Sequence, residues 1–186
     1  MDWRLSHDRL ENAHALTVFA AIVHGREEEA RTVIESLPRG AESPLARLDQ
    51  LHFSRLQIID RLVYQGAPQK PDTLKSAYLV FTASFDGALE PFLAAIRERL
   101  PAEADSWWGC CVGYPGVADL AAFTRYIRHN RIRTNLFGVS APKTTLPDIR
   151  ESVELRDRLV EFAISAQGLD ARELQERFRQ TFADVA

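Results

Sequence analysis

The chain has 186 residues, enough for one main domain with a sizeable core. Its 23 basic and 26 acidic residues leave a formal charge of −3, which argues against a general polyanion-binding surface, so nucleic acid is not an expected partner. The two cysteines, Cys110 and Cys111, are neighbours and poorly placed for a disulfide, which suits a reducing, cytoplasmic setting.

The first apolar run, "ALTVFAAIV" at 15–23, is far shorter than the roughly 20 residues a membrane-crossing helix needs. It also lacks signal-peptide flanks, so a strand is expected and a membrane partner is not. Gly25 ends the run. "REEEARTVIESL" follows, with Ala30, Val33, Ile34 and Leu37 at helical spacing and three glutamates in the first turn, where the helix dipole favours them. Next come a strand at 51–60, the interruption "GAPQKPD", and a strand at 76–85, which read together as a hairpin with a long loop. A second helix in "DGALEPFLAAIRERL" carries Leu89, Phe92, Leu93, Ile96 and Leu100 on one face, with Asp86 positioned to cap it.

The alternation in "SWWGCCVGYPG" at 106–116 predicts another strand. The series is then β-α-β-β-α-β, an α+β, ferredoxin-like core whose antiparallel sheet carries helices on one face. Beyond it the pattern predicts a helix near 117–129, a strand at 132–139, a helix from Pro147 to Ala166 and a last helix from Ala171. Pro147 suits a first helical turn, Gly168 a helix stop, and Asp170 with Glu173 a capping box. Leu174, Phe178 and Phe182 would dock that last helix. Residues 1–14 read as an N-terminal extension, 15–140 as the ferredoxin-like α/β-barrel-type domain, and 141–186 as C-terminal helices packed on the same domain.

Side chains alternate across a strand, so Arg55 and Gln57 fall on the face opposite Leu56 and Ile58. In the partner strand Leu79, Phe81, Ala83 and Phe85 form the apolar face, and Tyr78, Thr82 and Ser84 the other. If the apolar sets meet the helices, Arg55, Gln57, Tyr78, Thr82 and Ser84 share an open sheet face, joined by Thr17, Phe19 and Ala21 of the first strand. Such a face must be wetted, covered by a ligand or closed by another sheet.

"LHFSRLQIID", then "AYLVFTASFDG" opening a helix, then "CCVGYPG", resembles the pattern of bacterial ferredoxin-like proteins related to the dimeric α/β-barrel group, over roughly residues 15–140. In that group two sheets pair to enclose a cavity, and its members include haem proteins, cofactor-free monooxygenases, isomerases and proteins without established activity. The resemblance implies self-association, leaves open whether the chain is an enzyme, and transfers no single mechanism. Of the distal motif of dye-decolorising peroxidases, "SFDGALEP" holds only an Asp-Gly pair.

Arg55 is the leading ligand-binding candidate, because a guanidinium can hold a carboxylate in two parallel hydrogen bonds. A salt bridge to Asp or Glu is the competing reading. Gln57, Tyr78, Thr82 and Ser84 would orient a ligand, and Tyr114 would project into the cavity mouth from a "GYPG" turn. His52 is either a structural histidine at a strand start or an acid, base or haem ligand. Arg125, Arg128, Arg131 and Arg133 either complement a helix C-terminus or form an anion-binding rim. His7, His14, His24 and His129 lack metal-ligand spacing, so no metal site is expected.

Three functions are compatible with these features. The first is a small-molecule-binding protein, with oxidoreductase and isomerase as its enzymatic versions, holding an anionic or carboxylate ligand on the open sheet face. The second is a non-catalytic homodimeric assembly protein that uses the same face. The third is a haem-dependent enzyme using His52.

Overall fold

The computed structural model describes residues 8–68, 70 and 72–184. The chain is α+β, with a four-stranded antiparallel sheet in the order β1-β2-β4-β3. The strands are β1 (Arg9–Leu10), β2 (Ala13–Ala21), β3 (Leu51–Ile59) and β4 (Tyr78–Asp86). Helix α1 (Glu27–Glu35) joins β2 to β3 through two 3₁₀ turns, and α2 (Leu89–Arg99), α3 (Pro101–Trp108) and α4 (Leu120–His129) follow β4. Residues divide into two compact units, 1–146 and 147–186. Of the expected N-terminal extension, residues 1–7, His7 among them, lie outside the described residues.

Strand alternation sorts the sheet as expected. Leu16, Val18 and Ala20 of β2 and Leu79, Phe81, Ala83 and Phe85 of β4 are buried, with Leu56 and Ile58 of β3 packed against the same core. Against them lie Leu89, Phe92, Leu93 and Ile96 of α2, with the Phe92 ring stacked on Phe85 at 3.9 Å.

Two expected strands do not form. Residues 106–116 are the end of α3 and a turn, because Pro101 starts a new helix whose Ala104, Trp107 and Trp108 are all buried at i, i+3, i+4 spacing. The apparent two-residue alternation there was a helical face followed by turn glycines: Gly113 and Gly116 both adopt positive φ. At 132–139 no strand forms either; Arg131 makes an isolated bridge to Val18, and Leu136 is left exposed. The series β-α-β-β-α is therefore present without the expected sixth element.

The outer edge of β2 is closed instead by three short pieces. Ala15 N–H donates to Asp8 O, Phe19 N–H to Asn130 O, and Val23 N–H to Cys110 O, while Thr17 O and Ala21 O accept from Ile132 and Val112. Ala15, Thr17, Phe19 and Ala21 of β2 are thereby paired away from β4, and Ala13 pairs with Leu10 of β1. Asp86 also departs from expectation. It ends β4 rather than capping α2, whose N-cap is Ala88, and its carboxylate accepts from His52 Nε2 at 2.8 Å and from Leu146 N–H at 2.6 Å.

The second unit contains α5, which begins at Leu146 (Leu146–Ser165), and α6 (Ala171–Thr181). The Asp170/Glu173 capping box is formed. Phe162, Phe178 and Phe182 make mutual ring contacts, and Arg158 lies over Phe182 while pairing with Asp184. Leu174 and Phe178 stay largely exposed. Among the described residues no helix is long and apolar enough to cross a membrane.

Candidate functional site

The sheet face away from the helices carries rows of side chains fixed by register. Thr17, Thr82 and Arg55 stand directly opposite one another on β2, β4 and β3, and Ala15, Ser84 and Phe53 form the adjoining row. With strands about 4.8 Å apart, each row spans about 10 Å. An open depression of about 420 Å³ lies over these two rows and is lined also by Thr134. Thr134 arrives there because its N–H is held by Asp8 Oδ1 and the neighbouring Arg131 pairs with Asp8 Oδ2.

Arg55 is the ionisable group among the lining residues. Among the described residues no hydrogen bond or ion pair engages its guanidinium, and its side chain is exposed. Thr17, Thr82 and Ser84 line the depression with it, Thr134 closes one side while its side chain also bonds to Asp8, and the ring of Phe53, 79% exposed, forms an apolar flank. A planar donor fork, several hydroxyls and one aromatic wall can bind a small molecule with a carboxylate head and an apolar body.

The structure brings Arg55, Thr82 and Ser84 together and places the other candidates elsewhere. Gln57 stands opposite Val80, one row along from Arg55, and Tyr78 lies a further row away with its ring stacked on Phe19 at 4.5 Å. A bulge between Leu51 and Phe53 takes His52 out of the regular alternation. There its Nε2 faces Asp86, with side-chain exposures of 14% and 11%. An axial haem ligand needs that nitrogen free, so the haem expectation does not fit this histidine. Tyr114 is turned inward: its hydroxyl donates to Asp105 Oδ1 at 2.7 Å and its ring meets Trp108, Phe123 and Tyr126. Burial and then the Asp105 carboxylate push its phenol up.

The four arginines of the expected anion rim are dispersed. Arg128 pairs with Glu90 and Arg131 with Asp8, while Arg133 is exposed on the segment after α4. Arg125 instead lines a separate open cleft of about 660 Å³ with His129, Tyr126, Asn130 and the 112–115 turn. Cys110 and Cys111 are both buried. The Cys110 thiol donates to Trp107 O at 3.4 Å; the adjoining Cys111 thiol draws Cys110 down to about 7, helped by Arg26, and Cys110 with burial pushes Cys111 up.

Thr134 and Phe53 are among the lining residues that side-chain chemistry in the sequence did not single out. Phe53 could have been found from its alternation with Arg55; Thr134 reaches the site only through Asp8, 126 residues earlier. Comparison of the chain with protein-family models, with curated proteins and with solved structures finds no match.

Proposed function

We propose that this chain is a small-molecule-binding protein that holds a carboxylate ligand on the open sheet face, with Arg55 as the anion receptor. The observation that carries this reading is a guanidinium, unpaired among the described residues, standing in a row of hydroxyls above a depression. An exposed arginine without a partner is ordinary; here fixed strand register aims it at Thr82 and Thr17 and sets Phe53 beside it. The lining offers binding groups and no acid–base pair, which favours recognition over the oxidoreductase and isomerase versions of the same site.

The scaffold of this reading is a ferredoxin-like core formed by β2, α1, β3, β4 and α2. Its support is the antiparallel order β2-β4-β3 with helices following β2 and β4; the three pieces along β2 stand where a fourth strand would run.

The test is a titration of the full chain with a panel of small aryl and alkyl carboxylates, followed by amide NMR and native mass spectrometry. A binder should shift Thr17, Thr82 and Ser84 and should lose about tenfold or more in affinity in Arg55→Ala, the worth of one charge-assisted hydrogen bond. Binding that is indifferent to Arg55, or no perturbation at these residues by any carboxylate, refutes the assignment.

A further inference from the structure

The two edges of the sheet are treated differently. The β2 edge is closed along its length, whereas on the outer side of β3 only Leu51 N–H is engaged, by Leu48 O, and among the described residues no backbone hydrogen bond reaches the outward groups of Ser54, Leu56 and Ile58. An unpaired strand of this length is a template for another strand, and natural edges are usually blunted by proline, lysine or a cover. Leu51–Ile59 has neither proline nor lysine, and its single charge is Arg55. Phe53 on it, and Leu62, Val63 and Tyr64 just after it, are exposed.

We propose that β3 pairs antiparallel with β3 of a second copy of this chain, across a two-fold axis at Leu56, making one continuous sheet from the two copies. The outward-facing backbone groups of β3 and the registers they allow select this pairing. Asp86 N–H donates to Gln50 O, so the even-numbered residues of β4 bond toward β3. Their partners Phe53, Arg55, Gln57 and Ile59 therefore use their backbone groups on β4, and Ser54, Leu56 and Ile58 point theirs outward.

A two-fold axis perpendicular to a sheet keeps each side chain on its face, so it must pass through a residue opposed to itself. An axis at Arg55 sets that guanidinium against the partner's Arg55, a like-charge pair. An axis at Ser54 runs the ladder into the bulge at Leu51/Phe53, and an axis at Gln57 leaves Ser54 unpaired. The axis at Leu56 uses all of 53–59. Ser54 bonds with the partner's Ile58, Leu56 with the partner's Leu56, and Ile58 with the partner's Ser54. On the open face Phe53 then meets the partner's Ile59, and Arg55 meets the amide oxygen of the partner's Gln57. At this register the strand opposes Arg55 to a neutral acceptor instead of a like charge and sets Phe53 against an apolar side chain, which is why the occupant is a second copy rather than an unrelated strand. Gln57, distant from the depression within one chain, then becomes the neighbour of Arg55 in the other. This pairing is independent of any ligand at Arg55.

The test uses the full chain. Sedimentation velocity at micromolar concentration should show a dimer. In the double variant Arg55→Cys/Gln57→Cys the two positions are a non-hydrogen-bonded pair, about 4.5 Å apart between Cα atoms, and mild oxidation should give a covalent dimer joined 55 to 57 by mass spectrometry. Neither single variant should cross-link. Ser54→Pro removes an outward N–H and leaves the β3–β4 ladder intact, so it should weaken the dimer about tenfold or more. A monomer across the concentration range, or cross-linking of Arg55→Cys alone, overturns the proposal. A dimer that persists in Arg55→Ala while carboxylate binding is lost would uphold both assignments, and a dimer with no carboxylate binding would uphold this one alone.

Discussion

Asp8 offers the sharpest test of how this fold is held, because one carboxylate joins three parts of the chain. Its Oδ2 pairs with Arg131 at 2.6 Å, its Oδ1 accepts from Thr134 N–H at 2.8 Å, and its own backbone O accepts from Ala15 N–H. The side chains of Asp8 and Arg131 are 10% and 24% exposed. Removing one partner of a fully buried pair costs about 3–5 kcal/mol, and a hydrogen bond to a charged group is worth about 1.5–3 kcal/mol. Arg131 keeps enough exposure to be rehydrated, so Asp8→Ala should cost about 3 kcal/mol at neutral pH. For a chain of this size that lowers the melting temperature by about 6–12 °C. The assay is urea unfolding followed by fluorescence of the buried Trp107 and Trp108.

The same residue fixes a pH dependence. Burial alone would raise the Asp8 carboxyl, but the Thr134 hydrogen bonds and Arg131 outweigh it and hold it below the usual carboxylate range. A group lowered by folding contributes stability that is fully present above its unfolded value of about 4 and is lost as the pH falls through the folded one. The gap between wild type and Asp8→Ala should therefore narrow in acid. A variant within about 0.5 kcal/mol of wild type at neutral pH, or a gap that does not narrow, would refute this account.

Phe81→Ala should cost about 3–5 kcal/mol, since Phe81 is wholly buried and meets Trp108 edge-on at 5.5 Å; chemical denaturation checks it. Asp86→Ala should cost about 2 kcal/mol and raise amide exchange at Leu146, because it removes that N–H's acceptor along with the partner of His52. Arg55→Ala should leave the melting temperature unchanged, as no described group depends on the guanidinium; a marked loss of stability would show it to be structural. Cys110 and Cys111 should resist thiol reagents in the native protein and react in denaturant; fast native labelling would contradict their burial.

The face assignments were legible because two strands state the same alternation: Leu79, Phe81 and Ala83 on one, Leu56 and Ile58 on the other. Helices α1 and α2 were legible from apolar spacing alone, α5 from Pro147 in its first turn, and α6 from its Asp170/Glu173 capping box. The 106–116 segment was not, because two adjacent tryptophans followed by two cysteines satisfy a period of two as readily as a helical face, and Pro101 decides between them. Arg55, Thr82 and Ser84 could be grouped from one hairpin. Thr134 could not, and the dispersal of Arg125, Arg128, Arg131 and Arg133 depends on Glu90 and Asp8, which no local pattern links to them.

The piecewise closure of β2 bears on how the chain reaches this state. The Asp8–Arg131 contact spans 123 residues, and the strips at 110–112 and 130–132 lie beyond three and four of the helices respectively. Such closures carry high contact order, so the β2–β4–β3 ladder and α2 can assemble while the outer edge of β2 is still bare. A sheet assembled in that order would have two sticky margins where the finished unit keeps one, and refolding is expected to be most prone to concentration-dependent aggregation at that stage. Substitutions at Asp8 or Arg131 would lengthen its life, and their first symptom in a cell would be poor soluble yield.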